Sequence, residues 1–201
     1  MPTPQVVDPE VSRAKFDREI AAYRKMEATY RTRGWLLLDA DFPEACVAFA
    51  VPKLRPYPIV AAVVIDFTDY DLRPPSVRFV DPFTREPLVA RNLNFSMLRR
   101  QMPPEMFATM LQQGTVPVTN IVQFSGPDDH PFICLPGIRE YHDNPAHTGD
   151  SWLLHRASGE GSLAFILDKI WTYGVEPLST FQIQVQATTL ALGASPEAFR
   201  E

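Results

Sequence analysis

The sequence predicts an α+β fold in which helices lie beside one antiparallel sheet. Three observations predict it. An apolar stripe at helical spacing opens the chain, short β-branched and aromatic runs follow on short connections, and a second amphipathic stripe comes late. At 201 residues the chain is expected to form a single domain, 1–201, large enough to bury a core.

Each element has a local reason. Asp8 is placed to cap the first helix and Pro9 suits its first position; Phe16, Ile20, Tyr23 and Tyr30 share a face, and Gly34 supplies the stop. Strands are predicted at Trp35 to Leu38, Cys46 to Val51 and Ile59 to Phe67, each bounded by Pro, Gly or Asp. Their short connections imply an antiparallel meander, and a fourth run, Ser76 to Val80, follows the Pro74-Pro75 pair. Residues 83–122 read as an insertion, within which Pro103-Pro104-Glu105 starts a helix through Gln113 that Gly114 ends. The stretch from His130 to His155 reads as mostly loop, being dense in Pro, Gly, Asp and Asn. A closing helix spans Ser162 to Tyr173, with Leu163, Ile166, Leu167 and Ile170 on one face and Gly174 at its end. Phe181 to Leu190 fits a strand or a short helix equally.

Composition narrows the function. Charged residues make up 21% and hydrophobic ones 45%, as in ordinary globular proteins. A net charge of −5 argues against general nucleic-acid binding, which needs clustered Lys and Arg. The Arg99-Arg100 pair reads as solvated surface, with service to a protein partner as the alternative. Cys46 and Cys134 make no disulfide framework, and Cys46, inside ACVAFAV, reads as a small buried hydrophobe. The start MPTPQVVDPE is polar, and every apolar run is far shorter than the ~20 residues that cross a bilayer. A reducing cytoplasm and no membrane partner are therefore expected. The 20 prolines, about twice the usual share, are spread along the chain as turn punctuation.

Reactive side chains cluster in one window. All 4 histidines and one of the 2 cysteines fall between His130 and His155, in HPFICLPGIREYHDNPAHTGDSWLLH. Three chemistries compete for Cys134. It can be a nucleophile, with His142 or His147 lowering its pKa or relaying a proton. It can join His142 and His147 in a zinc site, with His155, Asp143 or Asp150 as further ligands. It can also be a buried thiol beside surface histidines. Spacing alone leaves all three open. Gly-Glu-Gly at 159–161 is too short for a phosphate-cradling loop and lacks the following Lys, and there is no Ser-centred nucleophile elbow.

The order of elements, with RPPSVRFVDPF, HPFICLPG and the later Trp152, resembles the ubiquitin-conjugating enzyme (UBC-like) family. Pro74, Pro75, Val77 and Phe79 match that family's strand motif, His130 and Pro131 its His-Pro element, and Ile133, Cys134 and Leu135 its active-site tripeptide. The resemblance covers roughly residues 8–175. The CLPG...YH...NPAH(T)GD(S)W run is similar to the bacterial branch encoded with ubiquitin-like proteins, an activating enzyme and a JAB-type peptidase in antiphage operons. Two departures stand out. Phe132 follows His-Pro where the family has an oxyanion-stabilising Asn, and only Phe132 and Ile133 separate Pro131 from Cys134.

The resemblance implies a UBC-like fold: an N-terminal helix, a four-stranded meander, an active-site loop and C-terminal helices. It implies that Cys134 receives a ubiquitin-like protein from an activating enzyme as a thioester and passes it to a target amine. Its expected partners are those proteins and the peptidase, without nucleic acid, and it implies no cofactor. With Phe132 in place of Asn, the polar work falls to residues after the cysteine. His142 and His147 are the proton-relay candidates, Asn144 is the oxyanion donor candidate, and Tyr141 is also available. Asp150 either orients an imidazole or caps the turn TGDSW, whereas His155 reads as a satisfied or exposed residue. Trp152 and Trp171 read as core. Arg13, Lys15, Arg18, Arg24 and Lys25 on the first helix are either an activating-enzyme docking face or a solvated surface. Two rivals remain: a zinc-binding module using Cys134, His142 and His147, and an inert UBC-like scaffold that binds its partner non-covalently.

Overall fold

The computed structural model describes residues 6–101, 106, 109 and 117–178. The architecture is α+β. Helix α1, Pro9–Thr32, starts where the Asp8 carboxylate accepts the Glu10 N–H at 2.9 Å, with Pro9 in the first turn. Its apolar face carries Phe16 into edge contacts with Phe42 and Phe67, at 5.7 and 5.6 Å between ring centres. Further along the same face, Tyr30 stacks on Trp35 at 4.6 Å.

The chain then leaves the helix through Gly34 at φ +83°, and its carbonyl accepts the Ala50 N–H at 2.7 Å. Only glycine fits there, because a Cβ would lie 2.0 Å from the Ala50 carbonyl oxygen. Gly34→Ala is therefore expected to destabilise the fold by about 2–5 kcal/mol, combining left-handed strain with a backbone clash. Urea denaturation with an unchanged m-value would check it.

Four strands follow: β1, Trp35–Asp41; β2, Glu44–Ala50; β3, Ile59–Asp66; and β4, Ser76–Phe79. They pair antiparallel in the order β1-β2-β3-β4. Register explains the packing. Val47 lies opposite Val63, and Val63 opposite Phe79, so alternate residues fill the face beneath α1. The opposite face carries small side chains, with Cys46, Ala48, Ala62, Val64 and Val80 forming a thin second cluster.

Residues 83–122, where they are described, contribute short paired strands. Strand β5, Leu98–Arg100, pairs antiparallel with β6, Val118–Asn120, while β7, Val122–Gln123, pairs with β8, Phe132–Ile133. These short strands carry the chain to Cys134: Ile121 N–H donates to the Met97 carbonyl at 2.9 Å, and Cys134 N–H to the Ile121 carbonyl at 2.7 Å. Within the helix expected from Pro103 to Gln113, only Met106 and Thr109 are described, and both are helical. The segment Phe181 to Leu190 lies outside the described residues.

The window from His130 to His155 holds more regular structure than a loop reading allows. After β8 come α2, Arg139–His142, a 3₁₀ turn at Pro145–His147, and α3, Trp152–His155. The closing helix α4, Leu163–Ile170, is capped by Ser162 and runs into a π turn, Trp171–Val175. Gly174 sits inside that turn rather than after it. Its role is close packing, since a Cβ there would lie 2.2 Å from the Phe95 ring. Trp152 is core, as expected, and its indole N–H donates to the Asp71 carbonyl at 2.9 Å. Trp171 is half-buried, with the Arg33 guanidinium 5.2 Å from its ring centre. No helix among the described residues is long and apolar enough to cross a membrane.

Candidate active site

The loop after Cys134 is tied to the sheet by the Pro74-Pro75 pair. Both of these residues lie just before β4, and each offers its backbone carbonyl to the loop. Arg139 takes both: its backbone N–H donates to Pro75 at 2.8 Å and its Nε to Pro74 at 3.1 Å. Next to it, Glu140 accepts the Ser76 hydroxyl and, at 3.3 Å, the Val77 N–H. Burial outweighs these bonds and pushes the Glu140 carboxyl up.

From that anchor the chain turns back to the cysteine. Cys134 Sγ lies 3.1 Å from His147 Nε2. The imidazole is held by the Tyr141 ring, which stacks on it at 3.9 Å with 23° between planes. Burial pushes the Cys134 thiol up, and the positive charge of Arg99 acts against that shift. A neutral thiol of this kind donates to an imidazole nitrogen, which is the arrangement general-base activation requires.

Asp150 is the hub of the loop. Its Oδ2 accepts the Tyr141 hydroxyl at 2.6 Å, its Oδ1 meets His155 Nε2 at 2.6 Å, and its backbone carbonyl meets His142 Nδ1 at 2.9 Å. Its N–H in turn donates to the His147 carbonyl at 3.0 Å. Desolvation, then the bond to Asp150, pushes the Tyr141 phenol up to about 12, keeping it a donor. His155 and then Tyr141 hold the Asp150 carboxyl below its usual range.

The four histidines thus occupy different positions. His147 alone meets the thiol among the described residues. His142 has both ring nitrogens engaged by backbone: Nδ1–H donates to Asp150, and Nε2 accepts the Gly137 N–H at 3.1 Å. With a carbonyl on one side and an amide on the other, His142 braces the loop rather than serving the cysteine. His130 is exposed and bonded through Nδ1 to the Leu88 carbonyl at 3.0 Å. His155, read from sequence as peripheral, lies between Asp150 and Glu160.

The other candidates have equally specific places. Asn144 caps the 3₁₀ turn, its Oδ1 accepting the Ala146 N–H at 2.9 Å, which leaves only the Nδ2 side of the amide for an oxyanion. Ser151, not Asp150, caps α3, accepting the Leu153 N–H at 3.3 Å. Asp143 is turned away to Arg73 at 3.0 Å. Among the described residues no group of three or more His, Cys, Asp and Glu is placed to hold a metal ion. The zinc triad read from spacing is therefore not assembled, because backbone partners already occupy both nitrogens of His142.

A Y4jH-like family model matches residues 7–178, from just before α1 to just past the π turn. The chain belongs to the Y4jH family. It is also 52% identical over 205 residues to the uncharacterized protein y4jH of Sinorhizobium fredii, with all of both chains covered. The Y4jH-family region contains every site residue described above.

Two functional candidates in this Y4jH-family chain were not singled out by the sequence. Arg99, read as half of a solvated pair, is the cation acting on both Cys134 and Tyr141. Glu160 completes the bracket around His155. The basic face expected on α1 is partly spent within the chain: Lys15 pairs with Asp71 and Arg24 with Glu27.

The His155 bracket predicts a pH dependence. The bond to Asp150, then that to Glu160, raises the imidazole above its ordinary value, so its contribution is complete below the unfolded pKa and is lost as pH rises through the folded one. The lowered Asp150 carboxyl loses its contribution as pH falls through its folded pKa. The Tm difference between wild type and His155→Gln should peak near about pH 5–6 and vanish in alkali. A flat difference across that range would contradict the bracket.

Proposed function

We propose that the chain is a conjugating enzyme that carries a ubiquitin-like protein as a thioester on Cys134 and transfers it to a target amine. The observation that carries this reading is the 3.1 Å approach of His147 Nε2 to Cys134 Sγ, in a chain whose four-stranded antiparallel sheet is flanked by helices. The UBC-like pattern of Pro74, Pro75, Val77 and Phe79 supports it further, because this segment leads into and forms β4, and its prolines anchor the loop that presents His147.

In charging, the sulfur of Cys134 attacks the thioester carbonyl of the modifier held on the activating enzyme, while His147 takes the thiol proton. The tetrahedral intermediate collapses, the activating enzyme's thiolate leaves, and it takes the proton back from His147. In discharge, a target amine attacks the Cys134 thioester, His147 accepts a proton from the nitrogen, and the proton returns to the departing Cys134 sulfur. An amide forms as the C–S bond breaks. Arg99 and the Asn144 amide are the groups available to meet the oxyanion.

The narrower setting rests on the resemblance of the CLPG to GDSW run. It comprises a bacterial cytoplasm, antiphage defence, and partnership with an activating enzyme and a JAB-type peptidase. To test the reading, the protein is mixed with the activating enzyme, the ubiquitin-like partner and ATP, then run on a non-reducing gel. A thiol-sensitive adduct that disappears in Cys134→Ala is expected; an adduct that survives the substitution would defeat the proposal.

A further inference from the structure

Both ring nitrogens of His155 face carboxylate oxygens, Asp150 Oδ1 at 2.6 Å and Glu160 Oε2. Ionised carboxylates only accept, so both nitrogens must donate, and this geometry is that of an imidazolium. His142, with its ring centre 5.4 Å from that of His155, has the opposite arrangement, with a backbone carbonyl at one ring nitrogen and a backbone N–H at the other. Beside the bracket, Arg156, next on the chain, faces Asp71 at 3.9 Å, and Asp71 also holds Lys15, so one carboxylate there serves two cations. His155 is thus the group in this bracket whose number of donors, and so its hold on both carboxylates, depends on its charge.

The consequence runs through Asp150. One carboxylate oxygen is held by His155 and the other holds the Tyr141 hydroxyl, and the Tyr141 ring stacks on His147. We propose that His155 is a positioning residue for the Cys134–His147 pair. Protonated, it fixes Asp150, which fixes the Tyr141 ring, which holds His147 Nε2 against the sulfur. Neutral, it loses one donor, releases one carboxylate, and lets the Tyr141 ring and His147 move away. This inference rests on the reading of Cys134 and His147 as nucleophile and base. It adds that the competence of the pair declines as His155 deprotonates.

The test uses thiol chemistry alone, so it needs no partner protein. In a Cys46→Ala background, the rate of alkylation of Cys134 by iodoacetamide is followed from acid to alkaline pH. A thiol paired with imidazole shows a reactive shoulder below its own titration, and His147→Ala should remove that shoulder. His155→Gln, which donates to one carboxylate but cannot carry charge, should lower the shoulder about tenfold, equivalent to about one unit in thiol pKa. Tyr141→Phe keeps the stacked ring but loses the bond to Asp150. It should reproduce the effect, and the double variant should be no worse than either single. If His155→Gln matches wild type while His147→Ala removes the shoulder, the positioning role fails and the pair stands. If His147→Ala also changes nothing, the pair itself fails and the inference with it.

Discussion

His147→Ala is expected to slow charging of Cys134 by about 10²–10⁴-fold, the usual contribution of a positioned general base. Burial holds the thiol up, so little thiolate is present at neutral pH without a partner to take the proton. Among the described residues the nitrogen that meets the sulfur belongs to His147, and His142 cannot replace it without giving up the Gly137 N–H. The loss should fall on the rate of thioester formation and not on docking of the modifier, which stopped-flow charging at varied modifier concentration would separate. His142→Ala should act differently, lowering stability by unseating the loop. A variant of His147 that charges at the wild-type rate would remove the base from the mechanism.

Cys134→Ser carries the second large effect. A serine hydroxyl is far less acidic than a thiol, so charging should fall by orders of magnitude, yet the ester that does form should resist thiols that discharge the wild-type thioester. Gel analysis after long incubation, with and without excess dithiothreitol, reads both properties. A serine adduct that thiols remove at once would place the acyl group on a different sulfur, with buried Cys46 as the remaining one.

The frame of the molecule was legible because its signals are local. The apolar runs within Glu44–Ala50 and Ile59–Asp66 are nearly continuous because both faces of these strands are buried, and Asp8-Pro9 marks the start of α1 without ambiguity. Strands β5 to β8 were not legible. With two or three residues each, they have no periodicity to read, and their pairing depends on partners far along the chain, as when Leu98 faces Asn120. That pairing is what brings Arg99 toward Cys134, so a residue far along the chain from the nucleophile looked like ordinary surface.

Within the site, the sequence pointed to the stretch in which Cys134 and His147 meet and left the roles open. Cys134 and His147 do meet, with His142 and Asn144 in the same short stretch of chain, but spacing cannot separate the histidine that touches sulfur from the one that braces backbone. Backbone donors and acceptors decide that. Gly137 and the Asp150 carbonyl claim His142, and no motif encodes their positions. His155 was underrated because two side-chain carboxylates hold it, one of which, Glu160, reaches it from beyond the end of α3.

The central claim, an acyl thioester on Cys134, is tested most directly by intact mass spectrometry of the protein after incubation with the activating enzyme, the ubiquitin-like partner and ATP. The predicted result is a mass increase equal to the modifier less one water, reversed by hydroxylamine and mapped by peptide analysis to Cys134. An unmodified mass with partners that are otherwise competent, or an addition mapped to another residue, would contradict it.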